Sequence, residues 1–178
     1  GVVTGATRIT LINSTLKNCP NGATGCIYGT INAGAAYVGN EFGPLSTFPN
    51  GANSDCVTLQ NTIGFLIDGN KVHGCTDGID VGQVGGTSAT QLKNGIIRYN
   101  EVYDILGPSD SRLLKISGNG PFDPIQRFSE SISLYKNIFH PGTQASQGSG
   151  PAYMERVQNI NTFQNTVWNV GGGQGSAL

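Results

Sequence analysis

Residues 63–75, IGFLIDGNKVHGC, and residues 93–105, KNGIIRYNEVYDI, carry the same pattern of apolar and polar side chains, and that pattern decides the fold. In each stretch an asparagine, Asn70 or Asn100, follows a segment whose inward positions recur at every second residue, and a valine stands two positions after it. A period of two is typical of a β-strand with one buried face. The two stretches are therefore predicted to be equivalent strands of a repeat.

The same polar position recurs along the chain at intervals of 26, 30, 30, 37 and 28 residues. It is filled by Ser14, Asn40, Asn70, Asn100, Asn137 and Asn165. A second short strand is predicted in most units, at 26–28, 56–59, 78–81, 113–116 and 153–157. Asparagine is expected at this position because it tolerates the left-handed conformation of a sharp bend and because stacked amides hydrogen-bond from coil to coil.

A repeat of about 28 residues with two or three short strands is typical of a parallel β-helix. We therefore predict an all-β fold, a single-stranded parallel β-helix of about six coils over residues 1–170, with a flexible Gly/Ser-rich tail at 171–178. Terminal repeats of a solenoid are normally atypical and polar. Such repeats are not evident, so we expect a domain that lacks one or both caps and is part of a longer protein, or that stacks end to end with other chains.

Composition narrows the function classes. Glycine accounts for 27 of 178 residues and charged residues for only 12%, which excludes a coiled coil or a helical bundle. With a formal net charge of −1, the chain lacks the excess of basic residues that is typical of proteins that bind nucleic acid or an anionic membrane surface. No apolar run approaches the ~18 residues of a membrane-spanning helix. Neither nucleic acid nor a membrane is therefore predicted as a partner.

The four cysteines all lie in the first half of the chain, at Cys19, Cys26, Cys56 and Cys75. An even number is compatible with disulfides in a secreted protein, with three ways to pair them. Buried free thiols, which behave as small apolar side chains, are the alternative. The spacing does not decide between them.

Five charged residues come together when the predicted second strands are aligned by their inward apolar pairs. Asp55 and Asp77 are expected to lie one above the other, with Asp80 close by and Lys115 and Arg112 in the next coil. Stacked carboxylates repel one another unless a positive charge lies among them. That charge is either Ca²⁺, which prefers oxygen ligands, or Lys115 and Arg112 themselves, in a surface ion-pair ladder.

The run TDGID at 76–80, the aspartate Asp55 one coil earlier and the strand LKISG at 114–118 in the next coil resemble the right-handed parallel β-helix polysaccharide lyases. The closest likeness is to the family 9 pectate lyases, which carry a DDGFD-like run and a GFKLG-like strand. The resemblance covers about a third of the chain. Thr76 stands where the family has a further aspartate, and Leu114 replaces its aromatic residue.

The resemblance implies a right-handed coil and a secreted, calcium-dependent lyase that cleaves an acidic, uronate-containing polysaccharide by β-elimination. It implies that the metal ligands are Asp55, Asp77 and Asp80 and that the catalytic base is Lys115. Arg112 is predicted to act beside Lys115 by binding a uronate carboxylate. His73 and Tyr103 are predicted to be substrate-binding residues at the edge of the same groove.

Two alternatives stand beside this hypothesis. The same residues show a weaker resemblance to the family 28 polygalacturonases, inverting glycoside hydrolases that need two carboxylates far enough apart to admit a water molecule. A non-catalytic β-helix is the other alternative: an adhesin, a phage-type fibre or a filament subunit that uses its stacked strands as a spacer and a glycan-binding surface.

Overall fold

The computed structural model describes residues 2–4, 8–20, 25–30, 33–46, 54–82, 92–105, 111–118, 128–140 and 150–168. Within these residues all regular structure is β-strand, as predicted, and the strands form three six-stranded sheets. In the part of the chain so described, no helix is long and apolar enough to cross a membrane. The predicted tail at 171–178 lies outside the described residues.

The chain visits the three sheets in turn. Sheet A contains β1 (Val2–Thr4), β4 (Ile27–Thr30), β7 (Asp55–Gln60), β10 (Asp77–Gly82), β13 (Arg112–Ser117) and β16 (Gly150–Glu155). Sheet B contains β2 (Ile9–Ile12), β5 (Ala35–Val38), β8 (Ile63–Asp68), β11 (Lys93–Arg98), β14 (Ser129–Tyr135) and β17 (Val157–Phe163). Sheet C contains β3 (Thr15–Leu16), β6 (Glu41–Phe42), β9 (Lys71–His73), β12 (Glu101–Tyr103), β15 (Ile138–Phe139) and β18 (Thr166–Val167).

Each strand from β1 to β15 pairs in parallel with the strand three places later in the chain. Because parallel neighbours lie about 4.8 Å apart, equivalent residues of successive units become nearest neighbours. The predicted second strands are the strands of sheet A, and their register is the predicted one: Val57 pairs with Ile79, and Ile79 pairs with Leu114. The architecture is a parallel β-solenoid.

The apolar core lies between the three sheets. Its largest fully buried side chains include Tyr37, Phe42, Ile67, Ile97 and Phe139, which stand at the inward positions of sheets B and C. These are the positions three residues before and two residues after the repeated asparagine. The two-residue period of the sequence therefore identified the buried face correctly.

The repeated asparagines form a ladder at the turn from sheet B to sheet C. The amide nitrogen Nδ2 of Asn40, Asn70, Asn100 and Asn137 donates to Oδ1 of the asparagine one coil further on, at 2.9–3.0 Å. The expectation of coil-to-coil bonding is confirmed.

The expectation that these asparagines take the left-handed conformation is wrong. Positive φ falls on the residue before each of them, at Gly39, Gly69, Tyr99, Lys136 and Gln164. The preceding residue makes the bend, and the asparagine keeps an ordinary backbone so that its amide points into the stack.

The cysteines form two disulfides, Cys19–Cys26 and Cys56–Cys75, and none is free. Both join residues at the corner where the chain passes from sheet C back to sheet A. The alternative of buried thiols is therefore set aside. This corner is also where the predicted site residues lie.

Candidate functional site

A bend at the start of the sheet A strands brings residues three apart to the same outer face. Asp55 pairs with Asp77 and Val57 pairs with Ile79, but the position between them is skipped in the register. Gly78 occupies that position, and a Cβ there would collide with the carbonyl oxygen of Leu113 and the side chain of Val102. The glycine therefore permits the bend that lets Asp77 and Asp80 face outward together.

Asp55, Asp77 and Arg112 form the first row across the face. Asp77 lies directly beside Asp55 in the neighbouring strand, as predicted. The backbone N–H of Arg112 donates to Oδ1 of Asp77 at 2.6 Å. The Arg112 side chain turns away along the sheet, where its guanidinium carbon lies 5.9 Å from the ring centroid of Tyr153.

The second row runs parallel to the first and contains Tyr28, Thr58, Asp80, Lys115 and Tyr153, each paired with the next. Lys115 Nζ donates to Asp80 Oδ2 at 2.9 Å. Thr58 Oγ1 donates to Asp55 Oδ2 at 3.0 Å and so connects the two rows. We call Asp55, Asp77, Asp80 and Lys115 the acidic cluster.

Burial and mutual repulsion dominate the electrostatics of the acidic cluster. Burial, followed by the charges of Asp80 and Asp77, raises the pKa of Asp55 to about 8. Burial also raises the pKa of Asp77 and of Asp80, although the Arg112 N–H and the Lys115 ammonium respectively act against it. Folding therefore places three carboxyl groups where ionisation is unfavourable.

One carboxyl oxygen of the cluster lacks a donor. Asp55 is 8% exposed, and its Oδ1 accepts no hydrogen bond from the described residues. Asp77 is the register neighbour of Asp55 in the adjacent strand. Two ionised carboxylates that are neighbours repel one another, and a proton on one of them or a cation beside both relieves that repulsion.

Lys115 balances only part of the negative charge. Burial lowers the pKa of Lys115, but the charges of Asp80, Asp77 and Asp55 and the hydrogen bond to Asp80 outweigh it, so that pKa is raised. One ammonium faces three carboxyl groups. The ion pair considered above is present at Asp80 and Lys115, whereas the hydrogen bonds described for Asp55 and Asp77 come from the Thr58 hydroxyl and the Arg112 backbone N–H.

The donor set fits Ca²⁺ in chemistry and in charge, because it offers carboxylate oxygens, an excess of negative charge and the buried Oδ1 of Asp55. Asp80 is turned towards Lys115, so the three aspartates do not form a compact triad. Within the described ranges, the three ligand atoms found within 4.8 Å of one another are the sulfurs of Cys26, Cys56 and Cys75, which are in disulfides. Asp55 and Asp77 are therefore the two carboxylates closest to forming a cation site.

The two departures from the lyase pattern have structural explanations. Thr76 is buried, and its Oγ1 accepts a hydrogen bond from the backbone N–H of Ser54. Leu114 is fully buried in the core, beside Ile79 and Ala152. Thr76 therefore holds the backbone that carries Asp55, and Leu114 packs the interior of the solenoid.

His73 and Tyr103 lie on sheet C, and the contacts described for them are with other residues of that sheet. The ring centroids of His73 and Tyr103 are 4.9 Å apart, and those of Tyr103 and His140 are 5.1 Å apart, in stacked arrangements. His73 Nε2 lies 3.2 Å from Glu41 Oε1. These predicted substrate-binding residues therefore lie on sheet C, which is joined to sheet A by the corner that follows β9. Their role in substrate binding stays a prediction.

Sequence reasoning missed Tyr28 and Tyr153, the two ends of the second row. Extending the alignment of the second strands by one unit in each direction places both beside Thr58 and Lys115. Tyr28 donates from its hydroxyl to Gln60 Oε1 at 2.7 Å, and Tyr153 donates to Glu155 Oε2 at 2.6 Å. Both rings are therefore held in place by their hydroxyl groups.

Nothing matches this chain among protein-family models, curated proteins or solved structures. The fold and the site alone define the class: a parallel β-solenoid with an acidic, lysine-containing cluster on the outer face of one sheet.

Proposed function

We propose that the protein is a secreted polysaccharide lyase, built on a right-handed parallel β-helix of about six coils, that cleaves an acidic glycan by calcium-dependent β-elimination. One observation carries the proposal: the paired carboxyl groups of Asp55 and Asp77, which are 8% and 4% exposed, accept their described hydrogen bonds from a hydroxyl and a backbone N–H and not from a cationic side chain, and Lys115 lies on the adjoining strand. A surface that served stability alone would gain by pairing these charges.

The second row offers a binding surface for a sugar chain. Its residues are spaced by about 4.8 Å, which is close to the length of one sugar ring. Tyr28 and Tyr153 end the row, and their rings supply apolar faces on which a sugar stacks. The Arg112 guanidinium, beside Tyr153, has the planar geometry that binds a uronate carboxylate.

Asp55 and Asp77, together with Asp80, would hold the cation. Bound Ca²⁺ supplies positive charge that neutralises the sugar carboxylate and acidifies the adjacent C–H group. Without that charge, the same three aspartates repel an anionic glycan. Binding of the substrate is therefore expected to require calcium.

Lys115 is the proposed base. In its neutral form, Nζ takes the proton from the carbon next to the uronate carboxylate. The electrons of that C–H bond form a carbon–carbon double bond, the glycosidic C–O bond breaks, and the leaving oxygen is protonated by water. Because the aspartates raise the pKa of Lys115, turnover is expected to increase towards alkaline pH until this group is deprotonated.

The test is the ultraviolet absorbance of unsaturated uronate products. The protein is incubated with polygalacturonate and with other acidic glycans, with calcium or with a chelator, between about pH 7 and 10. Absorbance that grows with calcium and disappears with the chelator supports the proposal. A folded protein that gives no signal on any of these glycans overturns it.

One observation favours a second candidate, a non-catalytic glycan-binding β-helix of the adhesin, fibre or filament type. Lys115 forms an ion pair with Asp80 and its pKa is raised, and both features keep it protonated. In that case the absorbance assay gives no product, while titration calorimetry with the same glycans detects calcium-dependent binding. The hydrolase alternative needs two carboxyl groups far enough apart to admit a water molecule, and it is less well supported because Asp55 and Asp77 are direct register neighbours in adjacent strands.

A further inference from the structure

The Cys56–Cys75 disulfide closes one coil of the solenoid into a covalent ring. Its cysteines are 19 residues apart, and the chain between them passes through β8 and β9. Their Cα atoms are 5.6 Å apart at the corner between sheets C and A. Both side chains are fully buried.

The ring closes next to the paired aspartates. Asp55 directly precedes Cys56, and Asp77 stands two residues after Cys75. Two hydrogen bonds reinforce the same corner: the N–H of Thr76 donates to the carbonyl oxygen of Ser54 at 3.1 Å, and the N–H of Ser54 donates to Thr76 Oγ1. The strand starts that carry the two aspartates are thus joined covalently and by hydrogen bonds.

The disulfide lies where the sheet ladder is interrupted. The register of β7 and β10 pairs Asp55 with Asp77 and then resumes at Val57 and Ile79. The skipped position on β7 is Cys56 itself. The ladder therefore does not fix the backbone between the two pairs, and the two aspartates on this segment repel one another when ionised.

We propose that the Cys56–Cys75 disulfide is a positioning element that sets the separation of Asp55 and Asp77 for cation binding. The proposal rests on the proposed function, since it concerns the same cation site. The disulfide acts through the backbone of the two aspartates and touches neither the cation nor the glycan. Residues that orient metal ligands from behind typically change metal affinity by about 10- to 100-fold when they are replaced.

The chain contains a matched control. The Cys19–Cys26 disulfide is also buried and lies at the same corner, and the Cys26 sulfur is within 4.8 Å of the sulfurs of Cys56 and Cys75. It joins the end of sheet C to β4, and no aspartate precedes or follows either of its cysteines. Loss of either disulfide is expected to lower the melting temperature.

The experiment compares C56A/C75A with C19A/C26A in two measurements. Calcium affinity is measured by titration calorimetry on the folded proteins. Amide hydrogen exchange is measured without metal at Ser54 and Thr76 and, for reference, in sheet B at Ile67. We expect C56A/C75A to lose about tenfold in calcium affinity and to exchange faster at Ser54 and Thr76, while C19A/C26A keeps its affinity within about twofold.

Each outcome decides the proposal. Equal loss of affinity in the two variants, or unchanged exchange at Ser54 and Thr76 in C56A/C75A, overturns it. If the unsubstituted protein binds no calcium, the proposed cation site fails, and the exchange rates still show whether the disulfide orders this corner. If C56A/C75A does not fold, Thr76→Val keeps the disulfide and removes one corner hydrogen bond. That variant is then expected to weaken calcium binding, and unchanged affinity contradicts positioning from this corner.

Discussion

The outer faces of sheets A and C are built by the same stacking of parallel strands, but their charged side chains are arranged differently. Sheet C places opposite charges side by side, whereas sheet A places two aspartates side by side. On sheet C, Glu41 lies 3.1 Å from Lys17 and 3.2 Å from His73, and Glu101 lies 3.1 Å from His140. Lys71 pairs with Glu41 on one side and with Glu101 on the other. Hydrogen bonds from Lys17 and His73 hold the pKa of Glu41 below its ordinary value.

On sheet A, the neighbour of Asp55 in register is Asp77, a residue of the same charge. The pKa values of Asp55, Asp77 and Asp80 are all raised, with burial as the first cause. A solenoid gives each side chain a neighbour in the coil above and below, so opposite charges are easy to place side by side. Opposite charges alternate on sheet C, whereas neighbouring like charges on sheet A support the proposed cation site.

The largest effect is expected at Lys115. Lys115→Ala removes the proposed base and is expected to lower turnover by roughly 10²- to 10⁴-fold, measured as the initial rate of ultraviolet absorbance. The matched control is Lys71→Ala on sheet C, which is expected to leave turnover unchanged. Equal rates for the two variants contradict the assignment of the base.

The next effect concerns cation affinity. Asp77→Asn keeps the shape of the side chain and removes one charge of the pair. It is expected to weaken calcium binding by at least about tenfold in titration calorimetry, as loss of a charged ligand from such a site should. Glu101→Gln on sheet C is expected to change calcium affinity by less than about twofold, because the register neighbours of Glu101 are Lys71 and Ile138 and not a second carboxylate. A similar loss of affinity in both variants would mean that calcium binding depends on the net charge of the protein and not on the pair Asp55 and Asp77.

A third prediction concerns pH and stability in calcium-free protein. The pKa of Asp55 is about 8 when folded and about 4 when unfolded, so folding takes up a proton between these values. Stability is then greatest at the acid side and falls as pH rises towards 8, by up to about 1.4 kcal/mol per pH unit.

Urea midpoints at several pH values, with a chelator present, measure this slope. Asp55→Asn is expected to reduce the decrease of the urea midpoint with rising pH and to raise the midpoint at pH 8. Saturating calcium is expected to reduce the same decrease in the unsubstituted protein, since the bound ion takes the place of the proton beside the aspartates. A midpoint that rises with pH in the calcium-free protein contradicts the raised pKa of Asp55.

The smallest effect is expected at Glu41 and has the opposite sign. Its pKa is lowered, so its contribution is present above the unfolded pKa and is lost as pH falls through the folded value. Because the Glu41 side chain is 31% exposed, Glu41→Gln is expected to cost less than about 1 kcal/mol at pH 7. Thermal unfolding at pH 7 and pH 3 measures it, and a large loss at both values would mean that Glu41 packs rather than pairs.

Much of the contrast between sheets A and C could be predicted from the sequence, because the repeat determines which residues of successive coils are neighbours. Once the second strands are aligned by their inward apolar residues, such as Val57, Ile79 and Leu114, the register that pairs Asp55 with Asp77 and Asp80 with Lys115 follows, and the structure has both pairs. A solenoid converts distance along the chain into adjacency in space. For this reason a single alignment predicted contacts between residues 22 and 35 positions apart.

Other features depend on the shape of the corners, which the repeat does not encode. The cysteine pairing was open because all four sulfurs gather at one corner, where spacing does not distinguish partners. His73 is only four residues from Asp77, yet a corner lies between them and turns it onto sheet C. The role of Thr76 could not be predicted, because the sequence does not show from which backbone N–H the hydroxyl of a threonine in a turn accepts a hydrogen bond.

The ring closed by Cys56 and Cys75 also determines how the molecule would respond to mechanical force. A solenoid pulled from its two ends releases its coils one after another, and each coil adds its full chain length to the extension. The disulfide withholds the segment between its cysteines, which are 19 positions apart, from that extension, a shortfall of roughly 60 Å for a fully stretched chain. Under tension, the ring from Cys56 to Cys75 is therefore a fixed link between two extensible segments of the solenoid.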